Sequence, residues 1–504
     1  MSLIQVTDLS FTYEGSSDPV FEHVTFQLDT DWKLGFTGRN GRGKTTFLNL
    51  LRNRLEYTGS IVSSVTFDYF PYEVEDQEAQ TLDIVNSILI DCPYWELKRE
   101  LTKLQVFEDV LYRPYNTLSN GERTKVLLAA LFLHEGSFLL IDEPTNHLDR
   151  EGRKLVSQYL NSKKGFILVS HDRKFLDDSV DHILSINRAD IEVQKGNFSA
   201  WYENRQRKDQ YELSENERLK KDIRHLEASA RQSGEWADKV EATKIGKKSM
   251  IYETSIDTRA YVGEKSRRMQ MRRKNLERRQ NQAIEDKRGL LKNIEEAEDL
   301  KLYPLKHHSG RLLALKDVVP YYRSPVCDPV SLILEQGQRV SLQGRNGSGK
   351  TTILKLILGD KDLERSIAYQ GTIEAASGLK ISYVSQDTSF LKGSLTEYGR
   401  QYGVEDSLFK ALLRKLDFSR EQFQKPLETF SEGQKKKVLI ARSLCEQAHL
   451  YIWDEPLNFI DIYSRIQIEN LIRKFQPSML FVEHDEFFTQ NVGARIVTVR
   501  ALQS

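Results

Sequence analysis

The chain has 504 residues, with 73 Lys plus Arg against 73 Asp plus Glu, so a uniformly basic nucleic-acid coat is excluded. Charged residues at 29% and hydrophobic residues at 39% make an ordinary globular balance, and the length predicts more than one domain. Apolar runs reach only about eight residues, as at 126–133, far short of the roughly 20 that span a bilayer, so no membrane association is expected.

The chain opens MSLIQVTDLSF, without a basic segment followed by an apolar one, which predicts a cytoplasmic protein. Cys92, Cys327 and Cys445 are odd in number and scattered, which excludes a disulfide framework, and they are not spaced as metal ligands. The dominant feature is self-similarity. GRNGRGKTT at 38–46 returns as GRNGSGKTT at 344–352, LSNGE at 118–122 as FSEGQ at 430–434, and LLIDEP at 139–144 as YIWDEP at 451–456. SHD at 170–172 returns as EHD at 483–485. Four short patterns in one order, at offsets between 306 and 313, define a tandem duplication. The fold class expected is α/β: two P-loop NTPase domains at 1–199 and 303–504, separated by different sequence at 200–302.

In chain order, KLGFTG reads as a strand leading into the first G-x-x-x-x-G-K-[ST] loop. Gly38, Asn40, Gly41, Gly43, Lys44, Thr45 and Thr46 would bind ATP. The glycines let backbone N–H groups curl around phosphates and feed a helix N-terminus that favours anions. Lys44 would reach the β- and γ-phosphates and Thr45 would ligate Mg²⁺. FLLIDE at 138–143 is a buried-strand pattern ending in paired carboxylates, with Asp142 placed for Mg²⁺ and Glu143 for the attacking water. His171 follows the apolar FILVS; packing or capping is the ordinary role of such a residue, but its recurrence favours a γ-phosphate sensor.

From Trp201 to Ser233 the sequence is polar and helix-favouring, with Tyr211, Leu219, Ile223, Leu226 and Ala230 as an apolar stripe at helical spacing. A second such stretch runs from Val262 to Leu300. With a tip at about 236–262, these predict an antiparallel helical hairpin of about 50 Å per arm. Residues 241–280 hold 12 Lys/Arg against 5 Asp/Glu, net +7 in a neutral chain. That charge is either a solvated helical face or a nucleic-acid contact.

The second copy repeats the chemistry. RVSLQG leads into Gly344, Asn346, Gly347, Gly349, Lys350, Thr351 and Thr352; LYIWDE supplies Asp454 for Mg²⁺ and Glu455 for water; His484 follows MLFVE.

LSNGE and FSEGQ resemble the LSGGQ signature of the ATP-binding-cassette superfamily. The resemblance implies that Ser119 and Gly121 close over nucleotide on Lys350, and Ser431 and Gly433 over nucleotide on Lys44. One chain would thus complete both sites as a monomer by pairing its own cassettes. It also implies adenine-stacking roles for Tyr13 and Tyr322 (or Tyr321), positions where a tyrosine serves a strand equally well, and Mg²⁺ contact by Gln386. The first copy departs, with Tyr72 where that glutamine is expected; the third signature residues are Asn120 and Glu432; and LNFID replaces TNHLD. Unequal sites are therefore expected.

Paired cassettes joined by a charged hairpin of about 100 residues resemble the ABC-F group of ribosome-binding ATPases. Only about 45 residues separate Tyr72 from LSNGE, leaving no room for an arm insertion, and no C-terminal coiled coil follows RIVTVRALQS. With WDEPLN and KVLLAALF, this resembles the antibiotic-resistance, Lsa/Vga-type ribosomal-protection branch. Its implied partners are the 70S ribosome at the E site, 23S rRNA and P-site tRNA, with lincosamides, pleuromutilins and streptogramin A compounds displaced. Lys244, Lys247, Lys248, Met250, Tyr252 and Ile256 would approach the drug site, and Arg267, Arg268, Arg272 and Arg273 would meet RNA phosphate. An ATPase subunit of a drug exporter, or a DNA-structure ATPase, would use the same cassettes; ribosome pelleting separates them.

Overall fold

The structure is a computed structural model. It describes residues 2–14, 19–89, 92–134, 136–146, 148–187, 190–242, 271, 278, 302–322, 324–359 and 367–502. Two compact units result: Met1–Trp201 with Ala297–Ser504, and Tyr202–Glu296.

The larger unit contains two cassettes built alike. In the first, six strands lie in the order Thr66–Phe70, Ser137–Asp142, Phe166–Val169, Lys33–Thr37, His182–Asn187, Asp190–Lys195. All neighbours pair in parallel except the last two. In the second, five parallel strands follow the order Ile381–Val384, Leu450–Asp454, Met479–Val482, Arg339–Gln343, Arg495–Thr498. Phe138–Ile141, Phe166–Val169, Leu450–Asp454 and Met479–Val482 are buried throughout, as continuous apolar runs must be when a parallel sheet is covered on both faces. A three-stranded antiparallel sheet accompanies each cassette: Phe21–Asp29, Leu3–Phe11, Thr58–Val62, and Val330–Glu335, Arg311–Tyr321, Ala368–Ala375.

The strand ends decide where chemistry can occur. Lys33–Thr37 and Arg339–Gln343 each run into a glycine loop and then a helix, Lys44–Leu51 or Lys350–Leu358. The residues before those helices, Gly43 and Gly349, have φ of 93° and 85°, and a Cβ on Gly43 would lie 2.5 Å from Val20 Cγ1. The acidic pairs and histidines stand at the carboxyl ends of neighbouring parallel strands, the edge where open α/β sheets bind ligands.

The signature serines cap their helices. Ser119 precedes Asn120–Leu131 and Ser431 precedes Glu432–Cys445, and each forms a capping box with the residue three further on, Glu122 or Gln434. The last letter of LSNGE and FSEGQ thus closes the helix N-terminus.

Buried ion pairs join the cassettes. Arg173 of the first forms a bidentate pair with Glu469 of the second, and both are under 9% exposed. More exposed pairs, Arg39–Asp417, Arg150–Glu486 and Arg345–Glu151, also cross between them. Arg173→Ala leaves Glu469 buried without its guanidinium. We expect the paired cassettes to lose about 3–5 kcal/mol, read in denaturant unfolding; a loss under about 1 kcal/mol would mean that neighbours such as Asn491, which donates to Glu469 at 2.9 Å, compensate.

In the smaller unit one helix, Phe198–Ala242, runs 45 residues, which at 1.5 Å per residue is about 68 Å. This corrects the expected tip: residues 236–242 are helical, because WADKVEA is made of acceptable helix formers and Gly234 costs only about 1 kcal/mol. The expected stripe holds at Ile223, which is buried, but Tyr211 is 67% exposed. Residues 271 and 278 are helical. Lys244, Lys247, Lys248, Met250, Tyr252, Ile256, Arg267, Arg268, Arg272 and Arg273 lie outside the described residues.

Candidate functional site: two clefts across the cassette pair

Each glycine loop faces the other cassette's signature. A cleft of about 530 Å³ is bounded by Tyr13, Asn40, Gly41, Gly43, Lys44, Thr45, Thr46, Asp142, Glu143 and His171 on one side and by Ser431 and Gly433 on the other. A second, of about 730 Å³, brings Tyr322, Asn346, Gly347, Gly349, Lys350, Thr351, Thr352, Gln386, Glu455 and His484 against Ser119 and Gly121. Gly433 is demanded by its own cassette, since a Cβ there would lie 2.4 Å from Phe459 O, and that Cβ would stand 3.5 Å from Asn40 Nδ2 of the other. Asn40 Nδ2 donates to Phe459 O across the cassettes at 3.1 Å.

The remaining expected residues sit beneath these walls. Lys44 Nζ donates to the carbonyls of Gly38 (2.7 Å) and Arg39 (3.2 Å). Lys350 Nζ donates to those of Gly344 and Arg345, both at 2.8 Å. Asp454 is fully buried. The Tyr13 hydroxyl is 2.7 Å from that of Thr46 and the Tyr322 hydroxyl 3.2 Å from that of Thr352, whereas Tyr321 donates to Gln370 in its sheet. Of the two tyrosines weighed for the second copy, Tyr322 is therefore the one beside the cleft. Tyr72 matches Gln386 by strand register but is 37% exposed and outside the cleft wall.

Both acidic glutamates are held in left-handed backbone, Glu143 at φ 50° and Glu455 at φ 47°. Their amides donate to Val169 O and Val482 O at 2.9 and 3.0 Å, so the neighbouring strand enforces the turn. Such conformations cost on the order of 1–3 kcal/mol and collect at functional sites.

The two clefts differ electrostatically. Burial, with Asp142 adjacent, pushes the Glu143 carboxyl up to about 8. His171 Nε2 stands 3.3 Å from Glu143 Oε1, and burial beside Lys44 and Arg465 holds that imidazole well below its usual range, hence neutral. Asp142 is raised by burial, against which Tyr69 and Thr45 each donate at 3.1 Å. In the second cleft burial also raises Glu455, but His484 (3.5 Å), Lys350 and Lys436 outweigh it and leave the carboxyl below its usual range. Gln386 and Asn458 both donate amides to Glu455 Oε2 at 2.8 Å.

Three participants, Lys436, Tyr69 and Asn458, escaped the sequence reading. Lys436, 2% exposed, donates to Ser385 O at 3.0 Å and Glu455 O at 3.2 Å; its first-copy counterpart Thr124 only bonds back to Asn120 O in its own helix. Tyr69 and Asn458 are the other two direct neighbours of the acids, and Glu432 accepts from Thr388 at 2.5 Å and Lys435 at 3.1 Å. Lys436 had one available signal, a lysine at a register where the first copy has threonine, but nothing local places it under the acidic pair.

The chemistry fits a hard cation. Among the described residues neither buried Asp454 carboxylate oxygen has a partner within hydrogen-bond geometry, and burial pushes the group up to about 6, with the nearby Lys436 and Lys350 opposing. Thr45 with Asp142, and Thr351 with Asp454, would hold Mg²⁺ as one hydroxyl and one carboxylate each, leaving room for the phosphate oxygens and waters that this ion prefers. Bound there, Mg²⁺ supplies neutralisation of developing phosphate charge.

Glycine loops, acidic strand ends and facing signatures define a pair of ATP-binding cassettes. The chain belongs to the ABC transporter family, whose model matches residues 21–146 and 327–458. It is 28% identical over 497 residues to the ribosome protection protein VmlR of Bacillus subtilis (strain 168), covering 96% of this chain and 85% of that one. It is 25% identical to the putative ATP-binding protein YdiF of the same organism, over 99% of this chain and 80% of that protein. Among solved structures, an archaeal ribosome recycling factor, aABCE1, crystallised with the stalk protein aP1, shares the fold with a TM-score of 0.62 at 18% identity, over 98% of this chain and 89% of that chain. The ABC-F resemblance drawn from the motifs is matched by the ribosome-protection relative. Among the described residues no helix is long and apolar enough to cross a membrane.

Proposed function

We propose that the chain is an ATP-hydrolysing ribosome-protection factor of the ABC-F type. The observation that carries this reading is similarity to a ribosome protection protein over 96% of this chain, combined with two clefts that are each lined by both cassettes. ATP and Mg²⁺ bridge each glycine loop to the opposing signature, so nucleotide stabilises the paired form. In that form the factor binds the 70S ribosome at the E site, and the segment 200–302 reaches past P-site tRNA along 23S rRNA. There it displaces lincosamide, pleuromutilin or streptogramin A compounds from the peptidyl transferase centre. Glu143 and Glu455 take the proton of the attacking water, His171 and His484 contact the γ-phosphate, and hydrolysis reopens the cassettes for release. The cassettes are assigned to 1–199 and 303–504, and the protein works as a cytoplasmic monomer.

The test is co-sedimentation with 70S ribosomes in ATP, ADP or no nucleotide. ATP-dependent pelleting that is lost in ADP is expected; pelleting indifferent to nucleotide, or binding to duplex DNA instead, overturns the reading. Removing residues 244–258 is expected to leave ATP turnover and pelleting nearly intact while drug resistance of the host disappears or changes its range. Full resistance in that variant would exclude action through this segment and support an exporter subunit.

A further inference from the structure

Beside the second cleft lies a separate cavity of about 350 Å³, and His484 lines both. Its walls come from the first cassette, at the helices Arg150–Asn161 and Arg173–Ser179, and from the segment of the second that carries His484 and Glu486. Four cations face it, Arg150, Arg153, Lys154 and Lys174, against the carboxylates of Asp172, Asp178 and Glu486. Arg153 pairs with Asp172 at 2.8 Å, Lys174 with Asp178 at 2.9 Å, and Arg150 with Glu486, which leaves Lys154 as surplus positive charge.

The duplication supplies an internal comparison. At an offset of 312, Arg150, Lys154 and Ser157 become Ile462, Ile466 and Glu469; at 313, Lys174 and Asp178 become Phe487 and Asn491. Glu486 is matched in the first copy by Arg173. There Arg173 pairs with Glu469 and lies 5.4 Å over the Phe487 ring, so the matching positions are engaged with one another. Exchange of three cations for two isoleucines and a phenylalanine leaves Arg465 and Arg173 against Glu469 and Asp485 there, with no surplus positive charge.

We propose that this cavity is a binding site for orthophosphate, receiving the product anion from the γ-phosphate side of the second cleft and built on three cations that the matching positions of the other copy lack. The proposal rests on reading the Lys350 cleft as a site of ATP hydrolysis. Arg150 and Arg153 are engaged by Glu486 and Asp172, so the charge open to phosphate is that of the exposed Lys154 and Lys174, which attract the anion without fixed geometry. His484 lines both spaces, so on this proposal the anion moves past that imidazole from one to the other.

The test is calorimetric titration of inorganic phosphate into the full chain saturated with ADP. Lys154→Gln with Lys174→Gln removes two exposed charges without touching either cleft wall. Phosphate affinity is expected to fall about tenfold, as loss of two charges at near-surface separations implies, and Lys154→Arg with Lys174→Arg is expected to restore it. No phosphate binding by the parental ADP complex overturns the proposal. So does equal phosphate affinity in parent and Gln variant, or an equal loss for ADP, which would report a general field and not a site. If instead Lys350→Ala leaves nucleotide affinity unchanged, the reading of the cleft fails, a result separable from the phosphate titration.

Discussion

Glu143→Gln combined with Glu455→Gln is expected to bind ATP with undiminished affinity while turnover falls by about 10²–10⁴-fold, the range that a positioned general base contributes. Each amide preserves the shape of the side chain and removes the proton acceptor, and at Glu455 it also removes a negative charge in the cleft. The protein should therefore accumulate with its cassettes paired around ATP, and ribosome co-sedimentation in ATP should rise. Quenched-flow measurement of ATP cleavage, with filter binding of labelled ATP, checks both halves. Parental turnover in the double variant would remove these glutamates from the reaction.

Tested singly, the same substitutions should differ in their pH dependence. Glu143 has its carboxyl pushed up to about 8 by burial and Asp142, whereas Glu455 lies below its usual range under His484, Lys350 and Lys436. With Glu455→Gln, turnover depends on Glu143, which is about one-tenth ionised at pH 7 and nine-tenths at pH 9, so the rate should rise about tenfold across that interval. With Glu143→Gln, turnover depends on Glu455, already ionised, and should stay flat. Parallel profiles would show that ATP and Mg²⁺ erase the difference between the clefts. Stability follows the same linkage. From its ordinary 4.5 up to about 8, folded Glu143 keeps a proton that the unfolded chain has released, so this group's contribution to stability declines as pH rises through that window.

The division between what was legible in the chain and what was not follows from the range of the interactions. A glycine loop between an apolar strand and a helix, an acidic pair at a strand end, and a serine capping a helix are each settled within about ten residues. Their physics is local hydrogen bonding and backbone sterics, and the duplication displayed each of them twice. The sequence by itself therefore determined two P-loop cassettes, their order and most of the phosphate-facing residues. It misjudged the first arm of the linker, because helix propensity across Gly234 ran on through residues marked as a turn. Only the tertiary structure decided which groups meet across hundreds of residues: Asn40 with Phe459, Arg173 with Glu469, and Lys436 beneath the Glu455 carbonyl. It also decided that matching carboxylates titrate differently, since burial and the sum of nearby charges set a pKa and neither is written in the neighbouring letters. The left-handed glutamates and the cation-lined cavity beside His484 belong to that second class, because each exists only where separately encoded strands and helices pack together.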